Sequence, residues 1–321
     1  MSTANRTAGP PSSGGLPPSQ PPISLKASSP RYGEKLFLGF LMAAAGLSVI
    51  TTVGIVASLI LPTLSFFREV SFIDFITGTS WTPRFAQKSY GVLPLLTATA
   101  WTTGIALAVS IPLGLGAAVF LSEYASTRVQ KFFKPTLELL AGVPSVVYGL
   151  FAVTFVGPVV LNNWLGIKVG TFSVLAAGLV LGVMIIPTVA SLAEDAMSAV
   201  PRALREASYG LGANRMRTVL RVVFPAAISG IAASIVLALS RAVGETMIVT
   251  MAGGGQAQMV TDPRSGGQTM TAFIAQAALG DSVQGTTQYN TLFAVGLTLF
   301  AITLVINMIS IRLVNRFREI Y

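Results

Sequence analysis

Long apolar stretches separated by short polar connections dominate this chain. The first, residues 36–61, carries no charged side chain. As a helix it would measure about 39 Å, more than the roughly 30 Å that the hydrocarbon core of a bilayer requires. Five further apolar stretches follow, at residues 92–121, 137–161, 172–192, 224–252 and 292–314. The pattern predicts an all-α membrane protein with six transmembrane helices.

The first thirty residues differ from the rest of the chain. They are rich in Pro, Ser and Gly and contain almost no side chain that could enter a core, so we expect a disordered tail. They also lack the charged start and short apolar core of a cleavable signal peptide. The predicted organisation is therefore a tail at 1–30, a first transmembrane helix with its external loop at 31–88, and a larger transmembrane domain at 89–321.

Composition and charge narrow the class of protein. The chain is 52% hydrophobic and 10% charged, with a mean hydropathy of +0.71, whereas soluble domains carry about 25% charged residues. It holds no cysteine and no histidine, which excludes thiol nucleophiles, imidazole bases and Cys/His metal sites. A net charge of +9 is compatible with nucleic-acid binding, but membrane proteins concentrate Lys and Arg on their cytoplasmic side.

The distribution of the basic residues decides between those two interpretations. Fifteen of the 21 Lys and Arg residues fall in the N-terminal tail, the second and fourth connections and the C-terminal end. Five fall in the other connections, and Arg241 alone lies within a span. We therefore expect both termini in the cytoplasm and no nucleic-acid partner.

Two smaller patterns concern packing. Gly178 and Gly182 are four residues apart, as are Gly230, Ser234 and Ala238, and such rows allow helices to approach closely in lipid. The outer connection at 65–90 holds three aromatic side chains that we expect at the membrane interface: Trp81, Phe85 and Tyr90.

The fourth connection, PRALREASYGLGANRMRTVLRVVFPA at 201–227, is the most informative polar stretch. Pro201 is suited to a helix start, residues 203–209 predict a helix, and Gly210 and Gly212 predict a turn. Residues 213–222 predict a second short helix that ends before Pro225. This helix–turn–helix is either a docking element for a partner or an ordinary basic loop on the inner side of the membrane.

The same stretch resembles the EAA signature of permease subunits of ATP-binding cassette importers. The matching residues, with three mild departures (Ser for the third Ala, Val for Ile and Phe for Leu), are Glu206, Ala207, Ser208, Gly212, Val222, Phe224 and Pro225. The resemblance implies that the connection at about 195–224 forms a cytoplasmic coupling helix between the fourth and fifth spans. It assigns ATPase coupling to Glu206, Ala207, Gly212 and Pro225.

Three other stretches are similar to the phosphate-specific permease family PstC: PLGLGAAVFLSEYA at 112–125, ELLAGVPSVVYGLFA at 138–152 and SRAVGETMIVT at 240–250. The similarity runs from about residue 89 to the C-terminus. It implies an importer-permease domain at 89–321 of a multi-pass protein of the bacterial cytoplasmic (inner) membrane. The implied partners are a sister permease (PstA-like), two ATPase subunits (PstB-like), an external phosphate-binding protein (PstS-like), phosphate and membrane lipid.

Two formal charges interrupt the fifth apolar stretch. An arginine at the centre of a span costs about 2.5–3.5 kcal/mol on insertion scales, yet Arg241 and Glu245 stand there four residues apart. On one helix they would share a face with Ser234 and Ala238 and form an ion pair. Either the pair holds two helices in register, or Arg241 offers a fixed cation to an anion in transit and Glu245 orients it. The resemblance to phosphate permeases favours the second role.

A second candidate for the translocation path lies in the third apolar stretch. Pro144 interrupts it and frees a backbone carbonyl, which membranes tolerate only where protein or water compensates. Ser145 would then be placed to bind an oxyanion, but because proline kinks are common in membrane helices, a simple bend is the interpretation we favour. We expect Glu138 at the inner interface.

The chain lacks its own energy source. No GxxxxGK[ST] motif occurs, so no phosphate-binding loop for a nucleotide is predicted. We therefore expect no catalytic residue, no metal and no cofactor, with ATP bound by a partner subunit. The alternatives are the sister permease itself, a permease for sulfate or molybdate, a secondary transporter, and a membrane scaffold that does not transport.

Overall fold

The structure is a computed structural model that describes residues 32–280 and 283–316. The predicted tail at 1–30 lies outside the described residues. Within them the chain is helical and contains no strand, apart from one isolated antiparallel bridge between Trp81 and Tyr90. The all-α prediction is therefore confirmed for this part of the chain.

The described residues contain twelve α-helices and four π-helical stretches. The helices are α1 (Tyr32–Glu69), α2 (Phe72–Thr77), α3 (Leu93–Val119), α4 (Thr127–Ala141), α5 (Ser145–Phe151), α6 (Val174–Ser198), α7 (Arg202–Gly210), α8 (Arg215–Thr218), α9 (Phe224–Ala226), α10 (Ile228–Gly244), α11 (Met270–Ala278) and α12 (Thr287–Arg316). The π-helical stretches are Phe120–Tyr124, Ala152–Trp164, Val219–Val223 and Val249–Gly253.

Among the described residues, five helical segments are long and apolar enough to cross a membrane. They are Gly33–Glu69, Leu93–Tyr124, Ser145–Trp164, Val174–Ser198 and Thr287–Arg312. The pair Arg215–Ala226 and Ile228–Gly244, which meets at an angle of 71°, counts as a sixth if it forms one bent span. The described residues thus hold five or six candidate spans against the six predicted, and the third begins elsewhere than expected.

The third span begins later than the predicted 137–161. Residues Thr127–Ala141 form α4, an amphipathic helix without a buried residue, and the chain leaves helical geometry before α5 begins. Pro144 caps α5 with ψ 132°. A proline also disfavours the helical conformation of the residue before it. Pro144 therefore separates two helices, and the prediction of a bend within one span is wrong.

The centre of the fold is the close pairing of α3 with α6. A Cβ atom on Gly178 would lie 2.8 Å from the Cβ of Ile105, and one on Gly182 would lie 2.8 Å from the Cβ of Val109. These distances are shorter than real Cβ contacts, so only glycine permits this approach. The predicted close packing at Gly178 and Gly182 is confirmed. Gly230 makes a similar approach to Ala196 of α6.

A cluster of aromatic side chains forms a separate part of the core. Its rings are Phe66, Phe75, Trp81, Tyr90 and Phe273. Trp81 is only 3% exposed and meets Phe273 edge-on at 5.0 Å. The prediction of an interfacial Trp81 is wrong, because the backbone bridge to Tyr90 folds the connection inward; Phe85 is 69% exposed.

The contacts divide the chain into two units at Val53. The described part of the first unit is the amino-terminal portion of α1, where side chains such as Leu36 and Phe37 are exposed. The second unit begins at Gly54 and holds the paired α3 and α6 and the aromatic cluster. The predicted domain boundaries at residues 30 and 88 stay predictions.

Candidate functional site

Arg241 lies in the last turn of α10, on a face that the other described residues leave exposed. The neighbouring face packs against α3 and α6 through Ala238 and Ala242. Arg241 is exposed together with Leu237. A step of three residues turns a helix by about 300°, so Arg241 lies only about 60° around the helix axis from Ala238. Ser234, Ala238 and Arg241 therefore share one side of the helix, as predicted, but Ser234 and Ala238 are fully buried whereas Arg241 is exposed.

Glu245 does not continue the helix that carries Arg241. It caps α10 with φ −66° and ψ 131°, an extended conformation. Its Oε1 atom accepts hydrogen bonds from the backbone N–H groups of Met247, at 3.0 Å, and Ile248, at 3.4 Å. The Thr271 hydroxyl of α11 donates to the Glu245 carbonyl at 2.7 Å. The carboxylate thus caps the helical turn that begins at Met247.

The predicted ion pair between Arg241 and Glu245 is therefore not formed. Within residues 32–280 and 283–316, Arg241 makes neither a hydrogen bond nor a salt bridge. Its position near the carbonyl end of α10 is electrostatically favourable, because the helix dipole is negative there. What remains is a permanent cation on an uncovered helix face, with all five N–H donors free for a ligand.

Ser145 is the first residue of α5 and is half-buried. One turn further, Gly149 packs against the segment that follows Glu245: a Cβ there would lie 3.0 Å from the Met251 Sδ atom and 3.3 Å from the Ile248 Cα atom. The fold therefore places α5 beside the segment that follows the helix break at Glu245. No hydrogen bond joins Ser145 to Arg241 or Glu245 among the described residues.

The α7–α8 connection has the predicted helix–turn–helix form. Gly212 adopts φ +80°, the left-handed region that favours glycine. The Asn214 side chain accepts from the Arg217 N–H at 2.8 Å and so caps α8. The Ser208 and Thr218 hydroxyls are 2.9 Å apart and join the two helices. The prediction of two short helices around a glycine turn is confirmed.

The residues assigned to ATPase coupling lie on the outer surface of this connection. Glu206 and Ala207 are exposed on α7, and the neighbouring Leu211 is 91% exposed. Gly212 supplies the turn that presents this surface.

Pro225 does not lie beyond the second helix as predicted. The chain continues from α8 through the π-helical Val219–Val223 into α9, where Pro225 occupies the first turn. Val223 and Phe224 are already helical, so Pro225 stands within a continuous helical run, where prolines and π-helical turns cause kinks. The 71° bend follows, between Ala226 and Ile228. Pro225 thus stands at the corner between the α7–α8 connection and α10.

Sequence reasoning missed a buried ion pair beneath α7. The Arg205 Nη2 atom lies 2.9 Å from the Glu123 Oε1 atom, and the two side chains are 16% and 5% exposed. Arg205 had been counted only as one of the basic residues of the loop. The signal that could have found it was Glu123, a lone carboxylate at the end of an apolar stretch.

A second ion-pair cluster lies nearby, where Lys134 of α4 contacts Glu194 at 2.7 Å and Asp195 at 2.8 Å. The hydrogen bonds that Lys134 donates to these two carboxylates, the one to Asp195 first, raise the pKa of Lys134. The cluster attaches α4 to the end of α6. In the part of the chain that the structure describes, no three His, Cys, Asp or Glu side chains are grouped to hold a metal.

Comparison with known proteins gives consistent results. Residues 110–319 match the family model described as binding-protein-dependent transport system inner membrane component. The probable ABC transporter permease protein YqgH of Bacillus subtilis is 37% identical over 235 residues, covering 73% of this chain and 75% of its own. The phosphate transport system permease protein PstC of Mesorhizobium japonicum is 32% identical over 297 residues, covering 86% and 88%.

Solved structures show the same fold. The membrane chain of a bacterial ABC transporter that imports alginate aligns with a TM-score of 0.63 at 18% identity, covering 90% of this chain and all of that chain. The MetNI methionine ABC transporter aligns with a TM-score of 0.53 at 21% identity, covering 71% and 95%.

Proposed function

We propose that this chain is the permease subunit through which an ABC importer moves inorganic phosphate. The chain belongs to the binding-protein-dependent inner-membrane permeases and, among them, to the PstC group. The observation that carries this proposal is Arg241, which has no partner among the described residues and lies on an exposed face of α10. The relatives named PstC support the choice of substrate.

An arginine in this position suits phosphate for two physical reasons. The guanidinium keeps its proton at any physiological pH, and its planar fork matches two oxygens of a tetrahedral oxyanion. The charge also needs a polar environment, because exposure of an arginine to lipid at the centre of a span is costly. A second permease of the PstA type covering this face would enclose Arg241 in a conduit between the two subunits.

Glu245 and Ser145 have different supporting roles in this proposal. Glu245 holds the helix break after Gly244 through its bonds to two backbone N–H groups, so it shapes the path next to Arg241. Ser145 stands at the start of α5, which packs beside the segment after that break, and offers a hydroxyl to the passing anion. Permeation requires that each such contact be weak enough to release the ion.

The energy for transport comes, in this proposal, from two PstB-like ATPase subunits that dock on α7. Glu206, Ala207 and the turn at Gly212 form the contact surface, and Pro225 marks the corner through which motion reaches α10. The excess of Lys and Arg on this side supports a location in the cytoplasm, beneath a bacterial inner membrane. A PstS-like protein would deliver phosphate at the opposite side.

Uptake of radiolabelled phosphate by a permease-deficient strain complemented with this chain tests the proposal. We expect uptake that depends on ATP. Excess unlabelled phosphate should suppress it, whereas excess sulfate or molybdate should not. Suppression by sulfate at equal concentration would reassign the substrate. Absence of uptake, with the assembled complex present in the membrane, would refute the proposal.

A further inference from the structure

Arg205 holds the inner side of α7 with four hydrogen bonds to two other elements. Its Nε and Nη2 atoms donate to the Glu123 carboxylate at 3.3 and 2.9 Å. Its Nη1 atom donates to the Val200 carbonyl at 2.5 Å, and Nη2 also donates to the Met197 carbonyl at 2.8 Å. The Nε, Nη1 and Nη2 atoms of Arg205 therefore all donate hydrogen bonds to neighbouring oxygen atoms.

The two elements that Arg205 reaches belong to the most tightly packed part of the fold. Met197 lies in the last turn of α6 and Val200 follows the end of that helix, while Glu123 lies in the π-helical turn that continues α3. The α3–α6 pair is held close by glycines along its length, including Gly114, whose Cβ would lie 2.7 Å from Val189. Arg205 thus joins α7 to a rigid pair of helices.

The other side of α7 leads to Arg241 by a different route. The Ser208–Thr218 contact joins α7 to α8, and the chain then turns the 71° corner into α10. The docking surface is therefore linked to the membrane region through Arg205 to α3 and α6 and through α8 to α10. Leu204 of α7 also packs against the core cluster around Met197, and Arg215 of α8 lies over the Tyr124 ring at 5.2 Å. Among these links between described residues, the one through Arg205 is a salt bridge.

We propose that Arg205 and Glu123 are positioning residues that make α7 move as one body with the α3–α6 pair, so that motion of the docked ATPases reaches the phosphate path. The proposal rests on the ATP-driven function proposed above and extends it to two residues outside the signature positions. Neither residue contacts the ATPase or the anion in this mechanism. Each acts through the helix that it holds.

The geometry favours arginine and glutamate specifically at these positions. A lysine is a single point donor and cannot bond a carboxylate and two carbonyls at once, whereas the guanidinium fork does so. Removal of one partner leaves the other buried without compensation, which is the costly way to break such a pair. If the pair served folding alone, its loss would reduce the amount of assembled complex and leave the coupling of the remaining complex unchanged.

The first test measures how much phosphate enters per ATP hydrolysed. Wild-type, Glu123→Gln and Arg205→Gln chains are assembled with the partner permease, ATPases and binding protein in proteoliposomes. We expect both variants to co-purify with the ATPases and to hydrolyse ATP, with the ratio of uptake to hydrolysis reduced at least about fivefold, the lower end of usual coupling between sites. An unchanged ratio overturns the proposal. A parallel loss of uptake, hydrolysis and co-purification also overturns it, because the pair would then serve assembly.

Arg264→Gln is the matched control for this experiment. Arg264 also forms a close ion pair, with Asp262 at 2.6 Å, but both side chains are largely exposed. The variant removes the same charge from another connection, and we expect the wild-type ratio. A reduced ratio in this control would show that the change in charge, rather than the joint, affects coupling, and would overturn the proposal.

The second test measures the joint directly and needs no transported ion. The chain contains no cysteine, so spin labels can be placed at Ala203→Cys on α7 and Phe120→Cys after α3, with cysteine-free partner subunits. We expect one narrow distance, the same without nucleotide and with trapped ATP, and a broadened or shifted distance in Glu123→Gln. A wild-type distance that changes with nucleotide, or a variant distance identical to wild type, overturns the proposal. If the wild-type complex takes up no phosphate, the proposed substrate is refuted, while the spin-label distances still test whether α7 is joined rigidly to α3 and α6.

Discussion

Replacement of Arg241 by glutamine is the sharpest test of the translocation path. The side chain has no partner within the described chain, so its removal leaves no buried charge behind and should not unfold the subunit. What is lost is the interaction with the anion. A hydrogen bond to a charged group contributes about 1.5–3 kcal/mol, which corresponds to a reduction of about 10- to 150-fold in the rate at low phosphate.

The assay is the initial rate of labelled phosphate uptake at low concentration, normalised to the amount of assembled complex in the membrane. Arg241→Lys keeps the charge without the fork and should fall between glutamine and wild type. Uptake by Arg241→Gln close to the wild-type rate would refute the reasoning. Loss of the assembled complex would show instead that Arg241 holds the subunits together.

Three further predictions test the local structure. Glu245→Gln keeps an oxygen that accepts from the Met247 and Ile248 N–H groups, so we expect near-normal uptake. Glu245→Ala removes this cap at a cost of about 1 kcal/mol and should lower uptake and thermal stability together. Gly212→Ala forces an L-residue into φ +80° at a cost of about 1–2 kcal/mol and should weaken co-purification of the ATPases, while Gly210→Ala, with open space around it, should not. Gly182→Ala should lower the melting temperature of the detergent-solubilised complex, since overpacking costs about 1–3 kcal/mol; an unchanged melting temperature would contradict the close packing of α3 on α6.

The sequence by itself determined the class of fold and most of its elements. Runs of apolar residues longer than a bilayer is thick have few stable structures other than membrane-spanning helices, so α1, α3, α6 and α12 follow from composition and length. The turn at Gly212 and the close approach at Gly178 and Gly182 follow from the steric freedom of glycine. These are local properties, and a residue type at a given spacing suffices to predict them.

The tertiary structure decided what the charged residues contact. Arg241 and Glu245 have the spacing of an ion pair only if the helix continues, and it ends because Glu245 caps the next turn and Thr271, 26 residues away, bonds its carbonyl. The pairing of Arg205 with Glu123 spans 82 residues. A side chain's partner depends on which helices pack together, and that packing is a property of the whole chain rather than of any one segment.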